Sequence, residues 1–86
     1  MKTEKEYKLF IKNPENWQQV SETGDIRTSE LTYKGFNAFR MDERKDGGVW
    51  KRKKWYRITP AGITVDMSMH EFIECLKKVD REENRK

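Results

Sequence analysis

The chain of 86 residues corresponds to one small domain, too short for a large catalytic core. Its residues are 34% hydrophobic and 40% charged, near the polarity at which chains stay disordered, yet 12% are aromatic and supply bulk for a thin core. The formal charge of +4 points to a polyanionic partner only if it is concentrated, and a core this thin favours a homodimer.

Residues 1–8 are charged and are expected to be mobile, and Leu9-Phe10-Ile11 forms a short apolar segment. Asn13-Pro14-Glu15-Asn16 reads as a turn, Trp17 to Val20 begins a strand, and Glu22-Thr23-Gly24-Asp25 reads as a second turn. Ile26 to Tyr33 is rich in β-formers and closes at Lys34-Gly35. Phe36 to Glu43 is the next strand, with Phe39 and Met41 on one face and Phe36, Ala38 and Arg40 on the other. Asp46-Gly47-Gly48 marks a hairpin tip, because glycine accepts the positive φ of tight hairpin turns.

Val49 to Ile58 should return antiparallel. Strict alternation puts Trp50, Arg52, Lys54 and Tyr56 on one face and Lys51, Lys53, Trp55 and Arg57 on the other. Ile63, Val65 and Met67 form a cleaner amphipathic strand. Ser68-Met69-His70-Glu71 then fits a capping box, and Met69, Phe72, Ile73, Leu76 and Val79 follow helical spacing. A helix of about 12 residues is expected, and residues 80–86 should extend it or fray.

Charge is concentrated in the middle of the chain. Residues 34–57 hold nine Lys and Arg against three acids, whereas the remainder is slightly acidic. Trp50, Trp55 and Tyr56 lie among these cations, and at least one of the three is expected in the core.

The inventory does not favour catalysis. His70 is the single histidine, at a helix start, and Cys75 lies beside the apolar stripe as a buried or half-buried thiol. Asp42 and Glu43 are adjacent on a strand and point to opposite faces. No metal-ligand spacing, glycine-rich phosphate loop or cofactor motif is present. One cysteine makes no internal disulfide, no apolar run approaches the roughly 20 residues of a membrane span, and residues 1–6 lack a signal-peptide stretch. A cytoplasmic, non-enzymatic, cofactor-free chain with no membrane partner is expected.

Single-stranded DNA or RNA suits Lys51, Arg52, Lys53, Lys54, Trp55, Tyr56 and Arg57, because single strands need cations along the backbone and flat rings for the bases. The alternative is a small regulator, such as a phage-type inhibitor, that docks its basic hairpin on an acidic protein surface.

Lys34-Gly35, Phe39-Arg40-Met41-Asp42-Glu43, Asp46-Gly47-Gly48, Lys51-Arg52-Lys53-Lys54 and Gly62-Ile63-Thr64-Val65 stand in an order that resembles the single-stranded-DNA-binding domain of the coactivator positive cofactor four and its bacterial and phage relatives. The resemblance covers roughly residues 26–79. It implies a strongly curved antiparallel sheet followed by a C-terminal helix, dimerisation through helices, and single-strand binding in the grooves of the sheets. By position it implies contacts from Lys34, Phe36, Arg40 and residues 51–57, with a role in transcription, replication or recombination.

The sequence therefore predicts a single α+β domain over residues 1–86: an antiparallel sheet of four or five strands and one C-terminal amphipathic helix. Met69, Phe72, Ile73, Leu76 and Val79 are the expected dimer seam.

Overall fold

The computed structural model describes residues 2–83. Five antiparallel strands follow one another in space as in sequence: β1 (Gln18–Thr23), β2 (Ile26–Tyr33), β3 (Phe36–Glu43), β4 (Lys51–Ile58) and β5 (Thr64–Met67). Two helices, α1 (Glu4–Lys12) and α2 (Met69–Glu83), pack on one face of this open sheet. The α+β class and the antiparallel sheet match the sequence reading. The 19 Å shortest extent is that of two layers.

Short-range chemistry accounts for the elements. Lys34 and Gly35 take φ of 50° and 87°, the two positive values of a type I′ turn, so Tyr33 pairs directly with Phe36. Asp46 and Gly47 repeat that geometry, but the ladder resumes only at Lys51, later than the expected Val49. α2 begins with the expected capping box: Ser68 Oγ accepts from the Glu71 amide and Glu71 accepts from the Ser68 amide. Those hydrogen bonds hold the Glu71 carboxyl below its ordinary range.

The same device starts α1, where the sequence reading expected a mobile end. Thr3 Oγ1 accepts from the Glu6 amide, and Glu6 accepts from the Thr3 amide. Tyr7 and Ile11, one helical turn apart, are then buried on the sheet. At the other charged end the helix extends, the first of the two expected outcomes. Residues 80–83 continue α2 and Asp80 is buried, whereas residues 1 and 84–86 lie outside the described residues.

One core joins the layers. Tyr7 and Ile11 meet Leu31 and Tyr33 of β2, Ala38 of β3, Trp55 of β4, Met67 of β5, and Phe72, Ile73 and Leu76 of α2. The expected dimer seam is thereby corrected: Phe72, Ile73 and Leu76 have no exposed surface within one chain, and Met69 and Val79 pack against the same core. α2 uses its apolar stripe intramolecularly, because the sheet offers the nearest surface that can bury it.

A polar cluster closes the far end of the core. Asp80 accepts from the Tyr7 and Tyr33 hydroxyls and, at 2.7 Å, from Lys34 Nζ. Burial by itself would raise the Asp80 pKa, but the hydrogen bonds from Lys34, Tyr7 and Tyr33 outweigh it and hold the group at about 2. Burial and the bond to Asp80 push Tyr7 up to about 12.

Candidate nucleic-acid interface

The helices cover only part of their sheet face. All six residues of β1 are exposed, and the ends of β2, β3 and β4 nearest the Asp46-Gly47 tip carry charged residues in place of core residues. On this uncovered portion Arg27 pairs in register with Asp42. Asp42, 2% exposed, accepts from Arg27 Nη2 at 3.2 Å and from Arg40 Nε at 2.8 Å. A desolvated carboxylate between two guanidiniums fixes both planes and leaves their outer edges in solvent.

The chain after β3 folds back over these arginines. Trp50 meets two guanidiniums, with Arg27 Cζ 4.5 Å and Arg44 Cζ 4.4 Å from its ring centroid. Arg44 is anchored by Asp25, 3.2 Å from its Nε. Arg52 Cζ then lies 3.7 Å from the centre of the Trp55 ring.

That last contact depends on a register irregularity. Asp42 faces Arg52 and Met41 faces Lys54, so Lys53 is the extra residue of a β-bulge. Strict alternation separates Arg52 from Trp55 by one face; the bulge puts both on the helix-bearing side. Beyond them Lys8 and Lys12 of α1, with Arg52, Trp55, Met67, Ser68 and Met69, line a groove of about 400 Å³.

The residues expected at the interface divide between surfaces. Arg40, Arg52 and Trp55 meet on the face just described. Arg57, half-buried, pairs with Val65 and follows Trp55 on that side. Lys54 and Tyr56 lie on the opposite, open face, where Tyr56 stacks with Phe39 at 5.2 Å and 16° and Lys54 approaches Asp66 at 3.4 Å. Lys51 is exposed opposite Glu43, and Lys53 Nζ is 3.9 Å from the same carboxylate. Lys34 is held by Asp80 and, at 3.1 Å, by Glu83, which raises its pKa and ties it into the fold; Phe36 packs against the core.

Arg27, Lys8 and Lys12 are not singled out by sequence, and Arg44 is counted in the basic stretch without being named as a contact. The Arg27 to Asp42 register follows from the two-residue turn at Lys34-Gly35, so that partnership was derivable; the return of Trp50 onto Arg44 was not. The half-buried Cys75 thiol lies 3.9 Å from the Met67 sulfur, and burial pushes its pKa up. Among the described residues no cluster of His, Cys, Asp and Glu has the makings of a metal site, and no helix is long and apolar enough to cross a membrane. Comparison with protein-family models, curated proteins and solved structures gives no match for this chain.

Proposed function

We propose that this protein binds single-stranded nucleic acid on the arginine and tryptophan surface of its helix-bearing sheet face. One observation carries the reading. Arg27, Arg40, Arg44, Arg52, Lys8 and Lys12 gather about Trp50 and Trp55, and the Asp25 and Asp42 carboxylates among them are already engaged by arginines. Guanidiniums held over indoles offer planar groups on which unpaired bases stack, while the remaining N–H groups and the lysines meet phosphates. The open sheet face is a poorer platform, because its lysines sit near Glu43 and Asp66.

The positive-cofactor-four-like family that the sequence resembles also binds single strands with basic and aromatic residues on a sheet. Fluorescence anisotropy of labelled single-stranded and duplex oligonucleotides at two salt concentrations tests the proposal. With about four phosphates contacted, raising salt from about 50 to about 200 mM should weaken single-strand binding about fiftyfold. Absence of binding at low salt refutes it and leaves an acidic protein surface as the partner to seek.

A further inference from the structure

We infer that the groove between α1 and the start of α2 seats a phosphate group, and that a backbone phosphate of the bound strand is its source. The second half of this statement rests on the function proposed above; the seat itself rests on independent observations.

The groove combines three kinds of anion-seeking group. Lys8, Lys12 and Arg52 bring positive charge from two elements, and none of them makes an ion pair among the described residues. Ser68 and Met69 place the start of the 15-residue α2 at the same wall. There the Met69 and His70 amides precede the first intrahelical hydrogen bond and the helix dipole is positive. The nearby Glu71 carboxylate is turned back onto the Ser68 amide.

The third group is the indole N–H of Trp55. Trp55 lines the groove, is 7% exposed, and its Nε1 is the one buried side-chain polar atom without a hydrogen-bond partner among the described residues. The contrast with Trp17 is informative, since that indole donates to the Ile11 carbonyl at 2.7 Å. An unpaired buried donor is unfavourable, and a ligand that supplies the acceptor removes that penalty. The exposed Arg52 side chain lies over the Trp55 ring, so guanidinium and indole belong to the same wall of the groove. A phosphate, with several strong acceptor oxygens, satisfies the indole, the helix amides and the cations together.

Nuclear magnetic resonance of the three indole N–H groups in the full chain tests this. Inorganic phosphate added at constant ionic strength should move the Trp55 signal downfield in a saturable way and leave Trp17 in place. An octamer of deoxythymidine without terminal phosphates should move the same signal. Arg52→Gln and Lys12→Gln should each weaken the phosphate titration about tenfold. A Trp55 signal unmoved by phosphate overturns the seat, and so does a titration that neither variant alters. Octamer binding that leaves Trp55 unmoved overturns the assignment of a backbone phosphate while the proposed function stands. Movement by phosphate with no octamer binding establishes the seat and refutes the proposed function.

Discussion

Asp80 holds a single carboxylate against two tyrosine hydroxyls and a lysine, at a position 4% exposed. Asp80→Asn should remove the charge that orders those donors and lower stability by about 3 kcal/mol, read by urea denaturation. The pH dependence has a definite sign. The folded pKa of about 2 lies below the ordinary 3.8, so the stabilising contribution is complete above about pH 4 and drains away as pH falls through about 2. Thermal melts should therefore show the gap between wild type and Asp80→Asn closing across that window. At the interface, Trp50→Ala should weaken single-strand binding about tenfold, the equivalent of one stacked base, with circular dichroism unchanged. An unaltered affinity would remove Trp50 from the stacking surface.

At the scale of elements, Thr3→Ala should lower stability by about 1 kcal/mol, because α1 depends on that cap to start where Tyr7 and Ile11 reach the sheet. Chemical denaturation measures it. The same helix shows what the sequence disclosed and what it hid. Ser68 and Glu71 precede a long apolar stripe and so announce a capping box, whereas Thr3 and Glu6 carry the same spacing before a helix of only nine residues, whose charged start reads as a mobile end. β2 and β3 have the expected bounds because a two-residue turn with positive φ leaves one possible register. The bulge at Lys53 was hidden, since alternation of side chains carries no mark of where a ladder skips a residue. Its consequence is large: it converts Arg52 and Trp55 from residues on opposite faces into a stacked pair.

For the whole molecule, the useful asymmetry lies within one face and not between two. Charge counting along residues 34–57 located the basic region, but the fold distributes those cations over both faces and a turn. It then recruits Arg27 from β2 and lysines from α1, which linear clustering does not reveal. Steering should follow this geometry. Charge reversal at the helix-bearing face, as in Arg44→Glu with Arg52→Glu, should slow association with single strands and flatten its salt dependence. The same number of reversals at Lys51 and Lys53 should have a smaller effect, measured by stopped-flow anisotropy.

The strands pair only with their neighbours in sequence, whereas Tyr7 and Asp80 meet across 73 positions. Local hairpins assemble at small loop-closure cost, but the contact between the two helices requires almost the entire chain to be in place. The clasp at Asp80 is therefore expected to form at the end of the folding reaction. Its loss should leave the refolding rate nearly unchanged and accelerate unfolding, so that Tyr7, Tyr33, Lys34 and Asp80 act as a latch on the lifetime of the native state.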